Sequence, residues 1–310
     1  MKRYTIYKSY HYLTLAYFFL CQSRKQPVRR LLTISFILMA AVNGRTQSSK
    51  GFIPIKDGKL YYEKSGTGQP LVFLHGLCLD HRMWEPQIEY FSKFYTCINI
   101  DFRGFGISSV PDSIPYSFHE DTKTLLDSLH IAGPVVFIAL SMGGKAATNF
   151  CLAYPEHVRS LILADVAIDG YHFEDFDLER IARVAREKGI DTANQFFLDE
   201  PIFASAKRDS LAFKRIRQMI LSYSGWLWTH KNPIHGLSPP AIGQLNQIKV
   251  PVLIITGEKD IRDFQQIADI LHKNIKQSLK KEIPDAGHMS NMEKPNVFNH
   301  LVDDFLRSNN

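Results

Sequence analysis

The run Val136-Phe137-Ile138-Ala139-Leu140-Ser141-Met142-Gly143-Gly144-Lys145 decides how the chain is read. Five apolar residues lead straight into Ser141, and two glycines and a helix-forming segment, 145–152, follow it. Strand, tight turn and helix in that order, with a serine at the apex, form the layout usually written G-x-S-x-G. Such a turn is so sharp that the residues two before and two after the serine nearly touch, so both must be small. Here they are Ala139 and Gly143. The apex backbone is strained, which predicts a positive φ at Ser141, with Oγ projecting from the sheet end above a helix N-terminus. A serine between small residues after a strand is also a common helix N-cap. The rest of the chain has to choose between these readings.

Outward from this run, 71–74 reads as a short buried strand ending at His75-Gly76. Residues 95–100 form another, ending at Asp101-Phe102-Arg103-Gly104-Phe105-Gly106, and 158–164 a third. Segments 52–55 and 59–63 flank Lys56-Asp57-Gly58, a turn signal, and predict a β-hairpin. Segments 84–94 and 118–129 carry apolar residues at helical spacing. Strands alternating with helices predict an α/β protein with a mainly parallel twisted sheet flanked by helices. Ligand sites in such sheets lie beyond the carboxyl ends of the strands. His75, Asp101 and Ser141 all fall at such ends.

Between 169 and 247 the rhythm breaks. Helices are predicted at 178–187, 192–198 and 205–223, followed by the aromatic residues Tyr223, Trp226 and Trp228. The insertion reads as a helical lid over the active edge of the sheet, before the last two strands. The other reading is a helical extension packed elsewhere, with the aromatics as its core. Alternation resumes with a strand at 250–256 that ends in Gly257-Glu258-Lys259-Asp260. A helix at 264–272, a short strand near 281–283, the loop Pro284-Asp285-Ala286-Gly287-His288 and a helix at 297–305 complete the chain. The expected organisation is a leader at 1–49, an α/β core at 50–168 and 248–310, and a lid at 169–247.

The formal charge of +6 invites a nucleic-acid reading, but its distribution argues against one. Nine of the 37 basic residues and none of the 31 acidic ones lie within positions 1–50. The remainder is mildly acidic, so the basicity belongs to the leader and not to a binding face. Two apolar runs in the leader, 12–20 and 31–42, fall short of the ~18–20 residues needed to span a bilayer. The second, preceded by Arg29-Arg30 and followed by small residues up to Gly44, fits a signal peptide. The expected location is therefore exported: periplasmic, secreted or held to the membrane by an uncleaved leader. A cytoplasmic protein with a helix packed on the core is the other reading. Four cysteines, Cys21, Cys78, Cys97 and Cys151, match neither a zinc nor a disulfide framework. Cys97 and Cys151 read as small core residues.

A serine is a poor nucleophile without a base, and the base needs a third group to fix its tautomer. Of twelve histidines, His288 is best placed, in a glycine-containing loop after the last strand. Asp260 ends the strand before it. The chain order Ser141, Asp260, His288 is one of the three common orders for a serine triad.

Four blocks now stand in order: Leu74-His75-Gly76, Asp101-x-Arg103-Gly104-x-Gly106, the Ser141 turn, and Gly257-x-x-Asp260 paired with Gly287-His288. With them the chain resembles the α/β-hydrolase fold superfamily over residues 50–310 apart from the insertion. Within it the sequence looks like the branch of non-haem chloroperoxidase-like esterases and 3-oxoadipate enol-lactonases. The resemblance implies an oxyanion hole from the backbone N–H groups of Leu77 and Met142. It also implies a cofactor-independent serine hydrolase acting on a small ester or lactone through an acyl-enzyme. Activity should fall on the acid side as His288 protonates. His81, Trp226 and Trp228 are expected to line the substrate pocket, with Asp80 and Trp84 as further candidates or simply the start of the next helix. His75 is expected to shape its loop, and Asp101 and Arg103 to brace theirs.

Serine at the apex, where halide-displacing and epoxide-opening members carry aspartate, argues against those chemistries. The His-Gly-Gly-Pro loop of proline-releasing peptidases is absent, since Leu77-Cys78 follows His75-Gly76. No metal constellation, phosphate-binding glycine loop or dinucleotide fingerprint is present, so no cofactor or metal is expected. Two alternatives stand: the same triad cleaving a carbon–carbon bond or forming peracids, and a slow-turnover ligand receptor or signalling partner.

Overall fold

The computed structural model describes residues 48–309 except 113 and 132, all within one compact unit, Thr46–Asn310. The leader expected at 1–49 falls almost wholly outside the described residues. Among the described residues no helix is long and apolar enough to cross a membrane.

Eight strands form one sheet in the spatial order β1-β2-β4-β3-β5-β6-β7-β8. β1 (Ser49–Ile55) and β2 (Gly58–Ser65) are the expected hairpin, closed by Asp57 at φ 61°. β2 runs antiparallel to β4 (Thr96–Ile100), and every pairing from β4 onward is parallel. The centre is held by β3 (Pro70–Leu74), β5 (Val135–Leu140) and β6 (Val158–Ala164). All six residues of β5 are buried, as a strand covered on both faces requires. β7 (Val252–Gly257) is equally buried, whereas β8 (Ser278–Ile283) forms the edge and blunts it with Lys280 and Lys281.

From β3 the chain crosses to β4 on one side and later to β5 on the other, so the winding reverses between β3 and β5. A crevice opens at that reversal, beyond the carboxyl ends of the strands. Leu74 pairs with Ala139 across it, which brings His75-Gly76-Leu77 and Ser141 side by side.

Helix boundaries differ from expectation where a cap intervenes. The predicted 84–94 helix is a short 3-10 turn, His81–Trp84, followed by α1 (Glu85–Phe91). Asp80 starts that turn by accepting the Arg82 N–H. α2 (Phe118–Ser128) is capped by Ser117, and α3 (Met142–Ala153) begins directly after Ser141. In the insertion, α4 (Leu178–Lys188) and α5 (Ile190–Leu198) are close to prediction. The predicted 205–223 helix instead starts at Ser210, as α6 (Ser210–Ser222), because Asp209 accepts the N–H groups of Leu211 and Ala212. A single turn, α7 (Trp226–Thr229), follows. After β7 come α8 (Arg262–Asn274), the short α9 (Ser290–Glu293) and α10 (Pro295–Ser308). Cys97 and Cys151 are buried free thiols, and burial pushes both up to about 12.

Candidate active site

Ser141 has φ 53° and ψ −120°, the strained conformation the sharp turn predicts. The strain of order 1–3 kcal/mol persists because its surroundings fix it. The Ser141 N–H donates to Ala164 O at 3.1 Å, and its own carbonyl accepts from Gly144 at 2.9 Å and Ala167 at 3.0 Å. The tight approach falls at Gly143, where a Cβ would lie 2.2 Å from Leu74 O. Ala139, whose methyl group breaks the all-glycine pattern, sits within β5 between Leu74 and Leu163 and is fully buried.

His288 lies in the loop between β8 and α9 and is 2% exposed. Its Nδ1 lies 2.9 Å from Asp260 Oδ2. Asp260 Oδ1 accepts the N–H of Ile261 at 2.7 Å, so the carboxylate is held from both ends. The Phe264 ring packs on the imidazole at 4.1 Å between centroids. With Nδ1 facing a carboxylate, Nε2 is the nitrogen left for proton exchange. Two glycine-loop N–H groups flanking the imidazole, Gly287 and Met289, both donate to the carboxylate of Glu293.

Ser141 and His288 share one cavity of about 720 Å³. Leu77 and Met142 also line it, and among the described residues neither backbone N–H meets an acceptor. Two free N–H groups beside a serine can receive an oxygen that gains negative charge. The Leu77 loop is shaped by His75. The Phe102 N–H donates to His75 Nε2 at 2.9 Å, so the proton rests on Nδ1, which donates to Gly76 O at 2.7 Å. Burial holds the His75 imidazole below its ordinary pKa, in keeping with this neutral tautomer.

The remaining expected pocket residues lie apart from this cavity. Trp228 is buried in the insertion, its indole N–H donating to Asn194 Oδ1 at 2.9 Å. Trp226 stacks on His230 with centroids 5.3 Å apart. His81 Nδ1 lies 2.9 Å from Asp101 Oδ1, and Trp84 is buried against Phe73. The aromatic lining comes instead from residues such as Phe173, Phe176, Phe197 and Phe203 of the insertion, with Phe105 and Phe264 of the core. Asp80, His81 and Asp101 converge as a possible ligand set. They satisfy one another and their neighbours: Asp101 also accepts Ile107 N–H, and Asp80 holds Arg82. Arg103 grips Asp121 through two bonds and Lys56 O through a third, bracing its loop.

Sequence reasoning missed Asp165, Glu293 and Lys145. Asp165, at the end of β6, has φ 47° and is buried beside the Asp260 carboxylate. Its Oδ1 accepts the Gly257 N–H at 2.7 Å and its Oδ2 the Ser290 hydroxyl at 2.5 Å. Burial first, and the Asp260 charge second, raise its carboxyl well above the usual range. Its place at a strand end was the signal available.

Nucleophile-type turn, carboxylate and imidazole leave the ends of β5, β7 and β8 of one sheet, the order used by hydrolases of the α/β class. The α/β hydrolase fold family matches residues 69–295, and the chain belongs to it. The chain is 28% identical to 3-oxoadipate enol-lactonase 2 of Acinetobacter baylyi, over 83% of this chain and 97% of that one. Among solved structures it resembles a thermophilic esterase from Thermogutta terrifontis, determined with malate bound. There the TM-score is 0.70 and the identity 28%, over 85% of this chain and 99% of the other. The enol-lactonase from Burkholderia xenovorans superposes with a TM-score of 0.72 at 25% identity, covering 83% and 100%.

Proposed function

We propose that the protein is a serine hydrolase that cleaves a small carboxylic ester or lactone through an acyl-enzyme. Ser141 Oγ attacks the carbonyl carbon while His288 Nε2 takes its proton, and Asp260 fixes the imidazole through Nδ1. The oxyanion of the tetrahedral intermediate is received by the Leu77 and Met142 N–H groups, each worth roughly 3–4 kcal/mol of barrier. His288 then returns the proton to the departing alkoxide. Water, deprotonated by the same imidazole, attacks the acyl-enzyme and frees Ser141. The segment between β6 and β7 acts as a lid that supplies the acyl pocket, consistent with its phenylalanines around the cavity.

One observation carries this reading: Ser141, at φ 53°, opens onto the cavity of an imidazole whose second nitrogen is held by a buried carboxylate. The names of the enol-lactonase and esterase relatives support it. The basic, apolar leader supports export, and the N-terminal sequence of the purified protein tests that: cleavage near Gly44 is expected and an intact Met1 counts against it. For the chemistry, Ser141→Ala is the test. A fluorophosphonate should label the parent at Ser141 and spare the variant, whose kcat on 4-nitrophenyl acetate should fall by about three orders of magnitude or more. Retained turnover in the variant overturns the assignment.

A further inference from the structure

We infer that the site selects uncharged esters or lactones with an apolar acyl group and rejects substrates bearing a carboxylate; this rests on the hydrolase reading above. An anionic acyl chain needs a cation within the cavity or a ring of donors to replace its hydration. Lys145, one helical turn beyond Ser141, is the only ammonium or guanidinium group lining the cavity among the described residues. Asp169 cancels it: its carboxylate forms an ion pair with Lys145 Nζ and accepts the amide N–H of Asn149 as well.

The rim carries charge of the opposite kind. Glu174, Asp177 and Glu179 line the mouth and are exposed, with the imidazole of His172 beside them. Glu179 is paired with Arg186. Glu174 and Asp177 form no ion pair among the described residues, and Asp177 spends its carboxylate on backbone N–H groups of α4. An incoming carboxylate therefore meets repulsion at the mouth and no free cation inside. Repulsive groups of this kind give specificity by penalising the wrong partner. Behind the rim the walls are aromatic and aliphatic, which suits an apolar acyl chain or aryl ring. The adipate in the name of the A. baylyi relative is a dicarboxylate, so this chain would differ from that relative in its substrate.

The test compares kcat/KM for 4-nitrophenyl butyrate and for the monoanion mono-4-nitrophenyl succinate, in the full protein and in Asp169→Asn. The parent should favour the neutral ester by about a hundredfold, and freeing Lys145 in Asp169→Asn should narrow that ratio by about tenfold. The variant amide can still accept from Asn149. Glu174→Gln with Asp177→Asn should narrow the ratio further, and added salt should narrow it in the parent. A parent that turns over the succinate ester as well as the butyrate, or a ratio unmoved in both variants, overturns the selectivity while leaving the hydrolase reading intact. No turnover of either ester together with no fluorophosphonate label on Ser141 overturns both.

Discussion

The Ser290 hydroxyl donates to Asp165 Oδ2 at 2.5 Å, tying the segment that carries His288 to the end of β6. Asp165 Oδ1 accepts the Gly257 N–H, so one buried carboxyl joins the ends of β6 and β7 to the start of α9. It lies beside Asp260, and burial and that charge raise its pKa well above the carboxylate range.

A raised carboxyl pKa means that the folded state holds a proton the unfolded chain has already lost. Stability from this group is complete below the unfolded value, ~3.9, and declines as pH rises through the folded value. Asp165→Asn keeps a neutral group of the same shape and should remove that slope. Thermal melts from pH 5 to 9 should show the variant gaining on the parent as pH rises. A constant difference in Tm across the range counts against a protonated Asp165.

His75 predicts the opposite limb. Its buried imidazole is held neutral and its pKa lowered. Stability from a depressed group is present above the unfolded value, ~6.5, and lost as pH falls through the folded one. His75→Gln loses the Gly76 or Phe102 bond and should be less stable than the parent at pH 8. The gap between them should shrink towards pH 5. Circular-dichroism melts of both proteins at the two pH values check this, and a gap that widens in acid would refute it.

Glu293 holds the N–H groups on either side of His288. Glu293→Ala removes both acceptors and frees the imidazole to wander. A misplacement of about 1 Å in a reacting group can cost about a hundredfold in rate, so kcat should fall tenfold or more with little change in KM. Glu293→Gln, which can still accept one of the two bonds, should recover part of the loss. Equal kcat in all three proteins would remove Glu293 from the positioning scheme.

Gly257 has no room for a side chain: a Cβ there would lie 2.2 Å from Gly287 O and 2.6 Å from Ala286 O. Gly257→Ala must push the His288 loop away from β7. A loss of about 1–3 kcal/mol in stability is expected, with a larger drop in kcat than in Tm alone would explain. Urea unfolding and steady-state kinetics on the same preparation separate the two effects.

The strand ends carrying Ser141, Asp260 and His288 were legible in the sequence because local patterns mark them: an apolar run and, just past its end, a polar side chain with a glycine within three residues. Nothing in the run around Ser141 could show what its two glycines approach: the Leu74 carbonyl at Gly143 and the Val166 side chain at Gly144. The pocket residues were harder. His81, Trp226 and Trp228 were attractive as large polar-edged groups near the right loops, yet each is engaged elsewhere: His81 by Asp101, Trp228 by Asn194, Trp226 by His230. Which aromatics reach a cavity depends on how the insertion folds back over the sheet, and helical periodicity does not carry that. Asp165 and Glu293 escaped notice for a related reason. Their meaning lies in partners, such as Ser290 for Asp165, that are distant in the chain or defined only once a loop has closed.

The insertion departs after Ala164 and the chain re-enters the sheet at Val252, while Ser141, Asp260 and His288 all belong to segments outside that excursion. On the proposed function, the reacting groups and four of the phenylalanines that line the cavity, Phe173, Phe176, Phe197 and Phe203, are thus written on separate stretches of the gene. Exchange of residues 169–247 for the corresponding piece of a relative could change the menu while leaving the cutting edge untouched. A lineage, or a protein engineer, can revise one without relearning the other.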